Sequence, residues 1–194
     1  MIITFEGGEG VGKTTQAALL KAFLESQNRP VVMLREPGGS VLSEKIRSLV
    51  LHESMDTLTE LLLILSGRRE NIATIIEPAL AGGSVVVIDR FIDSTLVYQG
   101  IAGGIGIERV RDIMQATRTW LIPDLTFVLD LDPALAATRY TPDDRFEFRD
   151  PDYHRRLREG FVSVATEPRH RLIDTSAPIQ AVFETVRQTV AARL

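Results

Sequence analysis

Short apolar runs recur along the chain and predict the strands of a buried sheet. They cover residues 2–5, 31–34, 84–89, 125–131 and 170–173. Nearly continuous apolar runs are typical of parallel strands that are covered on both faces. Between these runs lie longer stretches with apolar residues at helical spacing, such as Val182, Val186 and Val190. The alternation predicts an α/β fold, in which a doubly wound parallel sheet of about five strands is flanked by helices.

The longest predicted helix covers residues 57–80 and is apolar around much of its surface. The other predicted helices cover residues 15–26, 40–51, 107–120, 152–166 and 181–194. The apolar positions of the longest helix are Leu58, Leu61, Leu62, Leu63, Ile64, Leu65, Ile72 and Ile76. Such a wide apolar surface predicts burial on more than one face, in a large core or against a second subunit, and favours a homodimer. Arg68, Arg69 and Glu70 interrupt it, and the pattern leaves open whether they form a solvated face or a functional one.

Composition narrows the classes of protein to which the chain can belong. Its 194 residues predict a single domain, and the absence of cysteine excludes disulfides, thiolate zinc sites and cysteine catalysis. A net charge of −4 lacks the basic excess expected of a nucleic-acid-binding protein, so we expect small-molecule partners and no nucleic acid. Because the first predicted strand begins at residue 2, we expect no leader, and no apolar run approaches the length of a membrane span. We therefore expect a cytoplasmic protein that does not contact membranes.

The first predicted strand is followed by a glycine-rich loop and then a predicted helix. The loop reads Gly7-Gly8-Glu9-Gly10-Val11-Gly12-Lys13-Thr14, and its spacing matches G-x-x-x-x-G-K-[ST]. In this strand–loop–helix context the pattern predicts a phosphate-binding loop, because backbone N–H groups and the helix N-terminus can surround a phosphate chain. Lys13 would then reach the terminal phosphates of a nucleotide, and the hydroxyl of Thr14 would bind Mg²⁺.

Charged residues end two other predicted strands. Asp89 ends the strand at residues 84–89, and Arg90 follows it directly, while Arg35 follows the strand at residues 31–34. The carboxyl ends of parallel strands form the ligand-binding edge of open α/β sheets. We therefore expect Asp89 to contribute to the Mg²⁺ site and both arginines to lie near bound ligand. Further hydrogen-bonding side chains follow at Ser94, Thr95, Tyr98 and Gln99.

A phosphate-binding loop on an α/β sheet predicts a P-loop NTPase-type fold, but several functions use that fold. A GTPase switch would need an Asn-Lys-x-Asp motif, which neither Asn28 nor Asn71 provides. A partition or regulatory ATPase would usually carry a second lysine in the loop and a basic surface, and the sequence indicates neither. A small kinase needs a second anion-binding pocket and a closing loop with arginines, and the chain offers both.

Four motifs make the chain resemble the bacterial thymidylate kinases over nearly its full length. They are Glu6-Gly7-Gly8-Glu9-Gly10-Val11-Gly12-Lys13-Thr14-Thr15, Arg35-Glu36-Pro37-Gly38-Gly39, Asp89-Arg90-Phe91-Ile92-Asp93-Ser94-Thr95 with Tyr98-Gln99-Gly100, and Pro123-Asp124-Leu125-Thr126 leading to Leu129-Asp130. The resemblance implies transfer of the γ-phosphate of ATP to dTMP, with Mg²⁺, in a homodimer. The alternatives are a kinase of another small phosphate acceptor and a nucleotide-dependent regulatory ATPase.

The resemblance also implies roles for individual residues. Residues 7–15 would bind ATP, and Glu9 would lie near the 3′-hydroxyl of dTMP and the metal. Arg35 and Arg90 would hold the dTMP phosphate, Arg68 and Gln99 would approach the thymine, and Tyr98 would pack against the sugar. The remaining substrate-binding residues would be Pro37, Ile64, Ser94 and Thr95. Ile64 departs from the family, which usually has phenylalanine there.

Residues 139–150 combine arginines with acidic residues and have almost no apolar content. We expect them to contribute nothing to a core and to form a mobile surface lid. Because the phosphate-binding loop has no arginine before Lys13, this lid would supply the arginine that covers the transferred phosphate. Arg145 is the first candidate for this catalytic role, and Arg139, which would also contact ATP, is the second. A general base is not required, since the acceptor is itself a phosphate.

Overall fold

The structure, a computed structural model, describes all residues from 1 to 194. Its centre is a five-stranded sheet in the order β2-β3-β1-β4-β5, and every neighbouring pair of strands is parallel. The strands are β1 (Ile2–Glu6), β2 (Val31–Arg35), β3 (Val85–Asp89), β4 (Leu125–Asp130) and β5 (His170–Asp174). The predicted α/β class, the parallel sheet and the number of strands are confirmed.

Helices cover both faces of the sheet. They are α1 (Lys13–Ser26), α2 (Val41–His52), α3 (Thr57–Asn71), α4 (Glu77–Ala81), α5 (Ile92–Thr95), α6 (Ile107–Ala116), α7 (Pro133–Ala136), α8 (Pro151–Val164) and α9 (Ile179–Ala191). Side chains alternate along each strand, so Ile3 and Phe5 of β1 enter a core with α1 and α9. Ile2 enters a second core, which includes residues of α3 and α6.

Two predicted helices differ from the observed ones. Residues 57–80 do not form one regular helix, because α3 passes into a π-helical turn, Ile72–Ile76, before α4 begins. Pro78 has no N–H to donate to the carbonyl four residues earlier, so a regular α-helix cannot continue through it. The helix predicted over residues 107–120 ends at Ala116, and Arg118 adopts a left-handed conformation with φ of 55°.

The expectation that residues 139–150 contribute nothing to a core is wrong at one position. Phe146 packs against the buried cluster around Tyr98 and against the cluster that contains Ile64. Phe146 docks the segment together with hydrogen bonds from Arg145 to the carbonyl oxygens of Val50 and Leu51.

No helix of the structure is long and apolar enough to cross a membrane.

Candidate active site

A cavity of about 1460 Å³ lies at the carboxyl ends of β1, β2 and β3. It brings together most of the residues that the sequence singles out. The predicted site residues that line it are Glu9, Gly10, Val11, Gly12, Lys13, Thr14, Thr15, Arg35, Pro37, Ile64, Arg68, Asp89, Arg90, Ser94, Thr95, Tyr98, Gln99 and Arg139. Gly7, Gly8 and Arg145 are not part of its wall, although Gly7 and Gly8 belong to the same loop.

The phosphate-binding loop wraps closely because glycines occupy its tightest positions. Gly7 has a φ of 133°, and a Cβ atom there would overlap the carbonyl oxygen of Leu129. Gly12, with a φ of 97°, is the N-cap of α1, so the loop leads directly into the helix N-terminus. The loop therefore has the strand–loop–helix geometry that the motif requires for a phosphate chain.

Lys13 lies above this loop and is almost fully buried. Its ammonium group donates a hydrogen bond to the carbonyl oxygen of Gly8. Burial lowers the pKa of Lys13 to about 8, and Arg90 acts in the same direction, while Glu9 and Asp89 oppose the shift. An anionic ligand would stabilise the charged form of an ammonium group that is buried beside another cation. A bound phosphate would be such a ligand for Lys13.

The predicted metal residues Thr14 and Asp89 lie in contact. The hydroxyl of Thr14 donates to Oδ2 of Asp89 over 2.5 Å. A hydroxyl and one carboxylate are hard oxygen donors that suit Mg²⁺, which usually takes its remaining ligands from water and substrate phosphates. The structure has no group of three or more acidic, histidine or cysteine side chains that could hold a metal by themselves.

Glu9, the third predicted metal residue, contacts Arg90 and Tyr98, which follow β3 at the edge of the cavity. Its Oε1 atom accepts from the hydroxyl of Tyr98 over 2.8 Å and pairs with Nη2 of Arg90 at 2.7 Å. Burial alone would raise the pKa of Glu9, but Arg90 and Lys13 outweigh burial and lower it to about 2. Glu9 is thus a carboxylate that joins the loop to Arg90 and Tyr98.

Arg90 connects the phosphate-binding loop with the neighbouring strand. It follows β3 in a left-handed conformation, with φ of 67°, and its Nη1 donates to the carbonyl oxygen of Gly7 over 2.8 Å. Its guanidinium carbon lies 5.1 Å from the centre of the Tyr98 ring. Burial opposes the charge of Arg90, but Glu9, Asp89 and Glu6 raise its pKa above the ordinary value. The guanidinium is therefore charged and held in place beside the loop.

Arg68 does not belong to a solvated face, which answers the question that its position in α3 leaves open. It is 2% exposed, and its guanidinium donates to Glu36, to the carbonyl oxygen of Phe91 and to Thr95. Gln99 is also buried and donates to Oε1 of Glu60 over 2.5 Å. Both side chains line the cavity, and both have fixed positions set by carboxylate partners.

The two lid arginines occupy different places. Arg139 lines the cavity and donates to the carbonyl oxygen of Thr175 over 3.1 Å, on the side of the phosphate-binding loop. Arg145 donates to the carbonyl oxygen of Val50 over 2.6 Å and pairs with Glu60, on the opposite side of the cavity. The structure thus does not bring Arg145 to the phosphate-binding loop.

A family model of thymidylate kinases matches residues 5–186 of the chain. The thymidylate kinase of Symbiobacterium thermophilum is 41% identical over 197 residues, covering 98% of this chain and 92% of the relative. The chain belongs to the thymidylate kinase family. The thymidylate kinase of Leifsonia xyli is 39% identical over 201 residues, covering 100% of this chain and 96% of the relative. A crystal structure of thymidylate kinase from Ehrlichia chaffeensis superimposes with a TM-score of 0.81, at 33% identity over 98% of each chain.

Two further side chains of this thymidylate kinase family member line the cavity, and the sequence analysis did not assign a role to either of them. Arg47 of α2 lines the cavity and donates to the carbonyl oxygen of Pro37 over 2.7 Å. Glu36 is buried and pairs with Arg68 at 2.7 Å. The position of Glu36 inside the Arg35-Glu36-Pro37 motif was the available signal, whereas Arg47 lies in an ordinary amphipathic helix and gave none.

A buried ion pair also anchors α5, the helix that carries Ser94 and Thr95. Arg169, just before β5, donates two hydrogen bonds of 2.8 Å to the carboxylate of Asp93. Arg169 also donates to Thr126 of β4 over 2.6 Å. The start of α5 is therefore tied to β4 and to the beginning of β5, on the other half of the sheet.

Proposed function

We propose that this chain is a thymidylate kinase, which transfers the γ-phosphate of ATP to dTMP and releases dTDP and ADP. The observation that carries the proposal is the position of Arg90. Its guanidinium touches the phosphate-binding loop at Gly7 and the acceptor-side pair of Glu9 and Tyr98 at the same time. A donor phosphate on the loop and an acceptor phosphate on Arg90 would therefore face each other within one cavity.

We propose that the donor side binds ATP through the loop N–H groups, Lys13 and the N-terminus of α1. Thr14 and Asp89 would hold Mg²⁺, which when bound would draw charge from the phosphate oxygens of ATP. Arg139 lies beside Thr175 on this side of the cavity and would contact the nucleotide. These groups align the γ-phosphate and neutralise its charge, and such positioning is the main source of catalysis in phosphoryl transfer.

On the acceptor side, Arg90 would clamp the dTMP phosphate, with Arg35 and Arg47 adding positive charge. Arg35 is more exposed than Arg90, and it pairs with Glu44 at 3.1 Å. A monophosphate loses its second proton near a pKa of about 6, so it is largely dianionic at neutral pH and attacks without a general base. The acceptor sugar would lie against Tyr98, whose hydroxyl is fixed by Glu9.

The acceptor base would occupy the end of the cavity formed by Ile64, Arg68, Thr95 and Gln99. Arg68 and Gln99 are held by Glu36 and Glu60, so their remaining polar edges are presented in fixed directions. A fixed donor that a wrong base leaves unpaired costs binding energy, which supports selection among bases.

A coupled ADP-release assay over a panel of nucleoside monophosphates tests this function. We expect dTMP to be the acceptor with the highest kcat/KM, well ahead of dCMP, dGMP and dAMP. Preference for another monophosphate would transfer the proposal to a kinase of that acceptor. ATP hydrolysis without any acceptor turnover would instead favour a nucleotide-dependent regulatory ATPase.

Arg139→Ala is expected to lower kcat by roughly 10- to 100-fold, the loss of one charge-assisted hydrogen bond to the transferred phosphate. Arg139 is the lid arginine on the side of the phosphate-binding loop, whereas the side chain of Arg145 is held by Val50 and Glu60. Arg145→Ala should instead raise the KM for dTMP, because Glu60 also holds Gln99. Steady-state kinetics with both substrates varied measure the two effects. If Arg145→Ala shows the loss of kcat and Arg139→Ala does not, Arg145 is the arginine that covers the phosphate.

We further propose that the enzyme acts in the cytoplasm as a homodimer and as one domain with a lid over residues 139–150. The dimer is supported by α3, where Leu58 and Leu62 are 42% and 49% exposed beside the buried Leu61 and Leu65. Exposed leucines along one side of a central helix are more typical of a subunit contact than of a solvated surface. The absence of cysteine fits a reducing compartment.

A further inference from the structure

Phe146 of the lid lies inside the acceptor end of the cavity. Its ring centre is 5.7 Å from that of Tyr98, at an interplanar angle of 82°, and it packs against the cluster formed by Ile46, Val50 and Ile64. Phe148, two residues further on, points to solvent and is 71% exposed. The same short segment thus offers one half-buried and one exposed phenylalanine.

The position of Phe146 is fixed by hydrogen bonds of the preceding Arg145 and of its own N–H group. The N–H of Arg145 donates to the carbonyl oxygen of Leu51 over 3.2 Å. The N–H of Phe146 itself donates to Oδ1 of Asp144 over 2.9 Å. The side chain of Arg145 adds a hydrogen bond to Val50 and the pair with Glu60, whose other carboxylate oxygen accepts from Gln99. The ring of Phe146 is therefore held beside Ile64, which belongs to the proposed base pocket.

Each of the other aromatic rings that line the cavity has a role elsewhere. Phe91 is fully buried, with the guanidinium carbon of Arg68 4.9 Å from its ring centre. Tyr98 has Arg90 over its ring and its hydroxyl bound to Glu9. Tyr140 lies against Gly10, on the donor side. Phe146 is thus the aromatic ring available to a base at the acceptor end, where Ile64 of α3 supplies only aliphatic contact.

We infer that Phe146 contacts the base of the acceptor nucleotide and sets the affinity for it. This inference rests on the proposed kinase function and adds a specificity residue that is contributed by the lid. An aromatic ring contributes to binding by stacking or edge contact with a base, whereas it gives nothing to an acceptor that has no base. The lid would then recognise the acceptor as well as cover the reacting phosphates.

The test compares Phe146→Leu and Phe146→Met with the control Phe148→Leu, using two ligands. The ligands are dTMP and 2-deoxyribose 5-phosphate, which keeps the sugar and the phosphate but lacks the base. Calorimetric titration without ATP should show the Kd for dTMP raised roughly 5- to 100-fold in both Phe146 variants. The Kd for 2-deoxyribose 5-phosphate should stay within about twofold of the wild-type value, since phosphate and sugar contacts persist. Phe148→Leu should leave both constants unchanged.

Retained binding of 2-deoxyribose 5-phosphate also shows that the variants are folded. Wild-type affinity for dTMP in the Phe146 variants would overturn the inference, and so would an equal loss for both ligands, which would make Phe146 an anchor of the lid only. These outcomes are separate from failure of the proposed function, which would appear as a wild-type protein that does not phosphorylate dTMP.

Discussion

Lys13→Met should lower kcat roughly 1,000-fold or more while the protein stays folded. The ammonium group lies over the phosphate-binding loop, where it would balance charge that builds up on the transferred phosphate. Methionine fills similar space without the charge, so the loop keeps its shape but loses its only lysine. Single-turnover measurements with ATP and dTMP isolate the chemical step. Near-wild-type turnover would mean that this loop does not bind the donor phosphates.

The stability of the Lys13→Met variant provides a control with a definite sign. Because the pKa of Lys13 is lowered to about 8, the unfolded chain binds more protons than the folded one between pH 8 and the ordinary lysine pKa. The wild-type protein should therefore gain stability as pH rises through this window, and the variant should not. Without ligand at pH 7, the variant should be at least as stable as the wild type in urea unfolding. A large loss of stability would show that Lys13 is needed for folding.

Arg90→Ala is expected to lower kcat/KM for dTMP roughly 100- to 1,000-fold, because a charged clamp is lost from both the bound acceptor and the transition state. The change also removes the partner of Glu9 at 2.7 Å, so the pKa of Glu9 should rise from about 2 toward its ordinary value. Arg90→Lys should restore part of the activity, since lysine carries the charge without the planar fork that contacts Gly7 and Glu9.

Arg35→Ala is the matched comparison for Arg90. Arg35 also lines the cavity, but it is more exposed and already pairs with Glu44, so its loss should cost much less in kcat/KM. Steady-state kinetics with dTMP varied at saturating ATP measure both variants. Equal effects of the two substitutions would place the acceptor phosphate nearer to Arg35 than we propose.

The sequence predicted the sheet, the phosphate-binding loop and a common metal site for Thr14 and Asp89, because these follow from the motif spacing and from where the predicted strands end. A strand–loop–helix pattern needs no knowledge of distant residues, and parallel strands bring their carboxyl ends to one edge. The same reasoning placed Arg35 and Arg90 at this edge, whereas the role of Arg68 came only from the resemblance to the family, since the helix pattern left a solvated face open for it. Their individual partners were beyond prediction, since pairs such as Arg68 with Glu36 join residues far apart in sequence.

The placement of the lid was misjudged because tertiary contacts decide it. The lid has the composition of a mobile loop, and contacts of Phe146 with Tyr98 and of Arg145 with Val50 and Glu60 give it a defined position. The ion pair of Arg169 with Asp93, which the sequence did not predict, joins residues 76 positions apart, so neither residue is conspicuous in its own segment. In both cases packing between distant parts of the chain decides the outcome, and local composition does not.

The placement of the lid has a consequence for how the two substrates bind. Residues 139–146 reach from Thr175, through Arg139, to the acceptor end, through Phe146, within one short stretch of chain. A ligand that orders one end of this stretch lowers the entropic cost of ordering the other end. ATP and dTMP should therefore bind synergistically, and thermodynamic reciprocity requires each to strengthen the other by the same factor. Either order of addition would then lead to the same ternary complex with equal overall free energy.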